Sequence, residues 1–305
     1  MRSLLRAALA PLIGLLLAAA PAAADPSAPD PSPPDPSAAS RIVSVDGAVT
    51  EIVYALGQGG RVVATDTTSS WPAEVASLPK VGYKRSLTPE GLLSLRPDLI
   101  LASSTAGPAQ VLDAVRAAGV PVVTVPDAHS TEGVLAKVRA VAVALGLPAQ
   151  GEALAGRIAA DLETQAARLA TVRERPRVLF VMDTGQGGLM AAGRDTAADA
   201  AIALAGGINA FAGVTGLKPL TPEAAVLAAP QVIVVTHQAA DRQGGLASIA
   251  AHPALALTPA VRDGRLVSLD ALLVLGFGPR IGEAVRVMVA AFHPELPAQA
   301  AEVPR

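Results

Sequence analysis

The sequence predicts an α/β protein of two lobes, joined by one long α-helix, with a ligand cleft between the lobes. Three observations lead to this prediction. Short apolar segments alternate with helical ones over residues 41–147, which is typical of a parallel sheet covered on both faces. An amphipathic segment without internal proline follows over residues 148–175. The alternation then restarts and continues over residues 176–293.

The first 24 residues have the features of a cleaved signal peptide. Arg2 and Arg6 precede an apolar run over residues 7–20, and small residues before Asp25 offer a cleavage site. The run is short for a membrane span, so we expect its removal. Because the chain has no cysteine, we expect no lipid anchor and no disulfide, and a soluble protein in the periplasm. Residues 25–40, rich in Pro, Asp, Ser and Ala, are predicted to be a disordered linker.

The predicted elements of the first lobe follow in regular order. Strands are predicted over residues 41–45, 61–65, 98–102 and 120–125, and helices over residues 49–56, 88–96, 108–118 and 131–145. The second helix begins with Thr88 as its N-cap, Pro89 in its first turn and Glu90 near the positive end of its dipole. Polar residues 66–72 follow the second strand, at the sheet edge where ligands of open α/β sheets bind.

The segment 148–175 predicts a helix that joins the lobes. Its apolar residues recur at helical spacing, namely Leu154, Ile158, Leu162, Leu169 and Val172. At ~1.5 Å per residue such a helix is about 40 Å long, too long for a crossover within one small sheet. In the second lobe, strands are predicted over residues 177–182, 189–192, 231–235 and 266–269, and helices over residues 195–205, 223–228 and 280–291. A glycine-rich turn spans residues 183–188, and residues 294–305 form a tail.

The two lobes share a sequence repeat. Leu-Thr-Pro-Glu stands at residues 87–90 and again at residues 220–223, and in both places a helix, a proline and a buried strand follow at equal spacing. Any αβ unit can use such a cap. The shared motif and the equal spacing favour two pseudo-symmetric lobes.

The most informative segment is Leu-Pro-Lys-Val-Gly-Tyr-Lys-Arg-Ser-Leu at residues 78–87, which contains one of only two tyrosines. A phenolate is a hard ligand for ferric iron, and tyrosine is one of the protein ligands of haem. A bound metal or a hydrogen bond stabilises the ionised form. In an extended segment Arg85 points to the same side as Tyr83, while Lys84 points elsewhere. These ten residues alone leave open an ordinary tyrosine of a surface loop.

Taken together, four segments of the chain resemble the substrate-binding proteins of ABC importers that handle siderophores, cobalamin, haem and some metals, and among them the periplasmic haem-binding proteins. The segments are residues 78–91, Met-Ala-Ala-Gly-Arg-Asp-Thr-Ala-Ala-Asp at 190–199, Leu-Ala-Gly-Gly-Ile-Asn-Ala at 204–210 and Leu-Gly-Phe-Gly-Pro-Arg at 275–280. The similarity covers roughly residues 41–293. It implies two Rossmann-like lobes, Tyr83 as the axial ligand of the haem iron and Arg85 as its hydrogen-bond partner.

The resemblance also implies a partner and a stoichiometry. In the resembled group, acidic residues at the positions of Glu90 and Glu223 meet arginines of the permease in the inner membrane. The bland alternative is that both glutamates only complement their helix dipoles. Some relatives carry a second-lobe histidine that meets haem. The segment Asp-Thr-Gly-Gln-Gly at residues 183–187 lacks one, so we expect one haem per chain.

Three further residues are candidate haem contacts by position. Lys84 adjoins Tyr83, and Arg280 begins the last helix, where it meets a propionate or is only a helix-start cation. His237 follows a predicted strand at the cleft mouth, or is a solvated loop histidine. His129 is predicted in a polar turn, and the other two histidines precede prolines, which favours turn roles.

The expected function is therefore haem binding and delivery to an ABC transporter, by a monomer without enzymatic activity. A siderophore or cobalamin carrier of the same fold is the alternative, and an exported hydrolase is the third choice. The glycines of residues 185–188 lack the lysine of a P-loop, and no Gly-x-Ser-x-Gly motif or cysteine nucleophile is present. The net charge of −2 gives no global field that would recruit nucleic acid.

Overall fold

The computed structural model describes residues 35–183 and 188–297. The predicted signal peptide, residues 25–34 of the predicted linker, residues 184–187 of the glycine-rich turn and residues 298–305 of the tail lie outside the described residues. Within the described ranges, none of the helices combines the length and the apolar character that a membrane span requires.

The first lobe contains a four-stranded parallel sheet. Its strands are β1 (Ile42–Val45), β2 (Val62–Thr65), β3 (Leu99–Ser103) and β4 (Val122–Val125), in the order β2-β1-β3-β4, and its helices are α1 (Gly47–Ala55), α2 (Pro89–Leu93), α3 (Ala109–Ala117) and α4 (Thr131–Ala144). Leu99 and Leu101 of β3 pack in the core that α1 and α4 share, whereas Ile100 packs in the core of α2 and α3. This alternation confirms a sheet covered on both faces.

One long helix, α5 (Pro148–Leu169), follows the first lobe. Leu154, Ile158 and Leu162 are buried along it, as their spacing predicts. The predicted end at residue 175 is wrong, because the helix stops at Leu169 and a turn follows in which Val172 N donates to Leu169 O. Pro176 disfavours helical backbone in the residue before it, so the chain enters the next strand extended. The helix is therefore about 33 Å long rather than 40 Å.

The second lobe contains a six-stranded sheet that is mixed, not parallel throughout. Its strands are β5 (Arg177–Asp183), β6 (Leu189–Ala192), β7 (Ile208–Asn209), β8 (Leu217–Pro219), β9 (Val232–Thr236) and β10 (Leu266–Leu269), in the order β10-β9-β5-β6-β8 with β7 beside β5. Its helices are α6 (Ala197–Leu204), α7 (Pro222–Ala228), α8 (His237–Arg242), α9 (Leu246–Ala251), α10 (Pro259–Arg262), α11 (Ala271–Leu275) and α12 (Ile281–Phe292). β6 pairs antiparallel with both β5 and β8, whereas β7 and β9 pair parallel with β5, and β10 pairs parallel with β9.

The repeat of the two lobes extends to their hydrogen bonds. Thr88 and Thr221 each cap a helix by accepting from the backbone N–H three residues later. Arg41, just before β1, donates to Leu95 O and Arg96 O, which follow α2, and Arg177 at the start of β5 donates to Ala228 O at the end of α7. The residue before each proline, Arg96 or Ala229, has a positive φ, of 47° and 44° respectively. The lobes therefore hold α2 and α7 in the same way.

Residues 35–40 are ordered against the first lobe, contrary to the prediction of a disordered linker. Pro36–Ala38 form a short 3-10 helix. Arg61 donates to Ser37 O at 2.8 Å and to Ala39 O at 2.6 Å. The Asp98 carboxylate accepts from the backbone N–H groups of Ser40 and Arg41. Composition alone misses these contacts, because their partners lie far along the chain.

The lobes touch through close contacts on α1. A Cβ at Gly47 would lie 2.5 Å from Leu272 Cδ1, and a Cβ at Gly278 would lie 3.0 Å from Glu51 Oε2. The Glu51 carboxylate, whose side chain is 3% exposed, accepts from the Arg280 guanidinium. Arg280 also lies over the Trp71 ring, 4.5 Å from its centroid. Burial raises the pKa of Glu51, and Arg280 only partly offsets this shift.

We expect Arg280→Met to lower the free energy of unfolding by about 3 kcal/mol at pH 8, because it leaves the Glu51 carboxylate buried without its partner. A carboxyl with a raised pKa in the folded state favours folding most at low pH, and this advantage is lost as the pH rises through that pKa. The loss should therefore be smaller at pH 5, as measured by urea unfolding followed by circular dichroism.

Arg262→Met is the matched control for this prediction. It removes an arginine from an ion pair with Asp263 in which both side chains are at least half exposed. Such surface pairs contribute little, so we expect a change below ~1 kcal/mol at both pH values. Equal losses at pH 5 and pH 8 in Arg280→Met would show that Glu51 does not carry the effect.

Candidate functional site

A cavity of about 660 Å³ lies between the lobes, where the carboxyl ends of their strands meet. Asp46, Thr67 and Asp127 follow strands of the first sheet, and Gln238 and Ala271 follow strands of the second. This is the edge at which ligands of open α/β sheets bind, and the volume is in the range of small-molecule sites. The structure thus places a ligand-sized cavity where the sequence predicts the cleft.

The two walls of this cavity differ in chemistry. The first-lobe wall is mostly polar, with Asp46, Thr67, Thr68, Ser70, Tyr83, Lys84, Arg85, Thr105, Asp127 and His129. The second-lobe wall is mostly apolar, with Met182, Ala192, Ala197, Ala198, Leu217, Ala271, Leu272 and Leu275. A flat ligand with a metal on its axis and apolar faces matches this pairing, because one wall supplies a donor atom and the other supplies apolar area.

The loop that carries Tyr83 is fixed on both sides. Thr67 N donates to Gly82 O at 2.9 Å, and Gly107 N donates to Lys84 O at 2.8 Å. Gly82 has a φ of 95°, a backbone angle that residues with a Cβ atom rarely adopt. Tyr83 is 45% exposed, and within the described residues its phenol oxygen has no hydrogen-bond partner. The loop therefore presents a free phenol to the cavity.

Lys84, the residue after Tyr83, belongs to a cluster of two carboxylates and two ammonium groups. Lys84 Nζ donates to the Asp46 carboxylate and lies 3.9 Å from Asp127 Oδ2, and Lys137 Nζ donates to Asp127 Oδ1 at 2.8 Å. Burial alone would raise the pKa of Asp127, but the charge and hydrogen bond of Lys137, together with Lys84 and Thr105, hold it below its ordinary value. Asp127 is therefore ionised at neutral pH.

Arg85 is the cation of this wall that remains available. It is exposed, it lines the cavity, and its guanidinium forms no ion pair with any residue that the structure describes. Arg280 does not line the cavity and is engaged by Glu51 and Trp71. His237 is exposed at the start of α8 and also lies outside the lining, which its neighbour Gln238 joins instead. The structure thus brings together Tyr83, Lys84 and Arg85, but not Arg280 or His237.

Sequence reasoning missed His129 and the two aspartates as parts of the wall. The His129 ring lies 5.1 Å, centroid to centroid, from that of Phe277, and desolvation lowers its pKa, so the ring is neutral at pH 7. Asp46 directly follows β1, and Asp127 follows β4 after one proline. A polar residue just after a buried parallel strand is the feature that could have identified both aspartates.

Glu90 and Glu223 are exposed at the starts of α2 and α7. Neither carboxylate forms an ion pair within the described ranges. Glu90 comes five residues after the cavity residue Arg85, and Glu223 comes six residues after the cavity residue Leu217. The two glutamates thus stand at the starts of corresponding helices, one in each lobe.

Comparison with solved structures finds the same two-lobed fold in proteins of known ligand. The periplasmic heme-binding protein RhuT from Roseiflexus sp. RS-1, in its apo form, is 41% identical, with a TM-score of 0.80 over 85% of this chain and 99% of that one. The periplasmic heme-binding protein BhuT in complex with two hemes is 43% identical, with a TM-score of 0.79 over 84% of this chain and 99% of that one. The predicted fold class is confirmed.

Comparison with curated sequences gives a consistent result. The uncharacterized ABC transporter substrate-binding lipoprotein YvrC of Bacillus subtilis (strain 168) is 30% identical over 262 residues, which are 84% of this chain and 80% of that protein. The family model described as periplasmic binding protein matches residues 42–273, which include both sheets and the helix between them. The chain belongs to the periplasmic binding protein family.

Proposed function

We propose that this protein binds one haem in the cavity between its lobes and delivers it to an ABC transporter permease in the inner membrane. The observation that carries the proposal is the free Tyr83 phenol on a fixed loop of the polar wall, opposite an apolar wall. The high identity to periplasmic heme-binding proteins supports it. The protein acts in the periplasm, as a monomer that binds and does not catalyse.

Tyr83 supplies the axial oxygen to the ferric iron. The iron's own charge stabilises the phenolate form of the ligand. Arg85 adds a second stabilising charge, because it lies two residues away on the same wall and no other ion pair engages it among the described residues. A hydrogen bond from Arg85 to the phenolate oxygen favours the ionised form.

One haem per chain is the stoichiometry that the wall chemistry supports. The second-lobe wall, as far as the structure describes it, contains no histidine, and residues 184–187 read Thr-Gly-Gln-Gly. His129 lies on the same lobe as Tyr83, not opposite it. A second haem would therefore have no imidazole ligand among the described residues that line the facing wall.

We expect Tyr83→Phe to lose tyrosinate-ligated ferric haem, because the change removes only the oxygen and keeps the ring. Haemin titration followed by absorbance should reach its end point at one haem per wild-type chain, with a charge-transfer band that Tyr83→Phe lacks. Arg85→Ala should keep the band but shift it, and should weaken binding less than Tyr83→Phe does. Tyr54→Phe is the matched control, because Tyr54 does not line the cavity.

A wild-type spectrum in Tyr83→Phe would contradict the assignment of the ligand. A siderophore or cobalamin carrier of the same fold would show no such band with haemin in either protein. Binding of cyanocobalamin by wild type, unaffected by Tyr83→Phe, would favour that alternative.

The permease contacts Glu90 and Glu223. The two glutamates are exposed at equivalent ends of α2 and α7, whose hydrogen bonds to Arg41 and Arg177 match. A two-fold symmetric permease offers one equivalent site to each lobe. Exposed charges of this kind mostly set partner choice and association rate, not folding.

We expect the double variant Glu90→Ala/Glu223→Ala to bind haem as wild type does and to fail in delivering it to vesicles that contain the cognate transporter. Glu163→Ala/Glu174→Ala is the matched control, because it removes two exposed carboxylates from the segment 148–175, no residue of which lines the cavity as the structure describes it. Normal delivery by the Glu90→Ala/Glu223→Ala protein would reduce both residues to helix-start acids.

A further inference from the structure

Lys84 is held by two carboxylates that are almost completely buried. Its side chain is 16% exposed, whereas those of Asp46 and Asp127 are 5% and 6% exposed. Asp46 is also the N-cap of α1, where its Oδ1 accepts from Ala48 N at 2.9 Å. Both carboxylates are therefore fixed by the first lobe, and the ammonium group of Lys84 is fixed between them.

Asp127 connects Lys84 to the second lobe through Lys137. Its Oδ1 accepts from Lys137 Nζ, which is fully buried and donates also to Gly276 O and Phe277 O, at 3.2 Å each. Those two carbonyls belong to the loop between α11 and α12 of the second lobe. A continuous path of ion pairs and hydrogen bonds thus runs from the residue next to Tyr83 to the main chain opposite.

We infer that Lys84 is a positioning residue for Tyr83, coupled to the second lobe through Asp127 and Lys137, and that it does not contact the carboxylates of the ligand. The inference rests on the proposed function, because it concerns the ligand-binding tyrosine. To meet a propionate, Lys84 would have to leave the buried Asp46 carboxylate without a cation and the Asp127 carboxylate with Lys137 alone, which is unfavourable. Arg85 is exposed on the same wall and needs no such rearrangement.

The test compares ferric haem with its dimethyl ester, which has the same iron and ring but no free carboxylates. Binding is followed by quenching of Trp71, the only tryptophan of the chain. We expect Lys84→Met to weaken both ligands by the same factor, about tenfold or more, which corresponds to ~1.4 kcal/mol. The iron–phenolate charge-transfer band should shift, because the tyrosine loses its fixed position.

Asp127→Asn and the double variant Lys84→Met/Asp127→Asn test the coupling. Residues that act as one unit give non-additive effects, so the double variant should lose no more than the worse single variant does. Lys84→Arg keeps a cation between the carboxylates and should restore most of the affinity for both ligands. Arg139 lies on α4, as Lys137 does, and forms an exposed ion pair with Glu152 of α5. Arg139→Met should leave the affinity for both ligands unchanged.

Two outcomes would overturn the inference. If Lys84→Met lost affinity for free haem but not for the ester, Lys84 would contact a propionate. If the affinity of the double variant fell by the product of the two single-variant factors, Lys84 and Asp127 would act separately. If Lys84→Met does not fold, the affinities of Asp127→Asn for haem and for its dimethyl ester decide instead. The Asp127 carboxylate is an anion and cannot bind a propionate directly. An equal loss of affinity for both ligands in Asp127→Asn therefore requires a positioning role.

Hydrogen exchange of the ligand-free protein separates this inference from the proposed function. Gly107 N donates to Lys84 O, so its amide reports how firmly the Tyr83 loop is held. We expect faster exchange at Gly107 in Lys84→Met and Lys137→Met than in wild type and Arg139→Met. Unchanged exchange would overturn the positioning role whether or not the wild type binds haem, whereas a wild type that fails to bind haem contradicts only the proposed function.

Discussion

A fully buried ammonium group, that of Lys137, connects the two lobes, and the shape of the cavity depends on it. Its three donors are all used, one by the Asp127 carboxylate and two by the carbonyls of Gly276 and Phe277. A buried charge is tolerated only where such partners are complete. The lobes can therefore separate at this point only by exposing or orphaning a charge, which makes one spacing of the walls strongly preferred.

The two lobes are pseudo-symmetric in the hydrogen bonds that hold α2 and α7, and less so in the pairing of their strands. The first sheet is parallel, whereas β6 makes the second sheet mixed. Even so, α2 and α7 share a threonine cap, a proline at the first turn and an arginine from a strand start. The same local hydrogen bonds thus give the two helices equivalent ends in lobes whose sheets differ.

The fold was predictable because its strands are short apolar segments and its longer helices carry caps and periodic apolar residues. The short helices α8 to α11 were not predicted, since segments of four to six residues show too little periodicity. Tyr83 and Arg85 could be found from a local motif. The roles of Lys84 and Arg280 could not, because their partners Asp127 and Glu51 lie 43 and 229 residues away along the chain.

The difference between the two walls has a consequence for how a ligand leaves. Contacts with the apolar second-lobe wall have no preferred direction, and their free energy falls smoothly with the area lost, at roughly 25 cal/mol per Å². The bond that we propose between the Tyr83 oxygen on the first lobe and the haem iron joins two atoms and depends steeply on their geometry. A small change of lobe spacing therefore weakens the apolar contacts with the second-lobe wall only in part. The same change can abolish the contact with Tyr83, provided that the movement reaches the Tyr83 loop. The path from Lys84 through Asp127 to Lys137 is a physical connection that would transmit it.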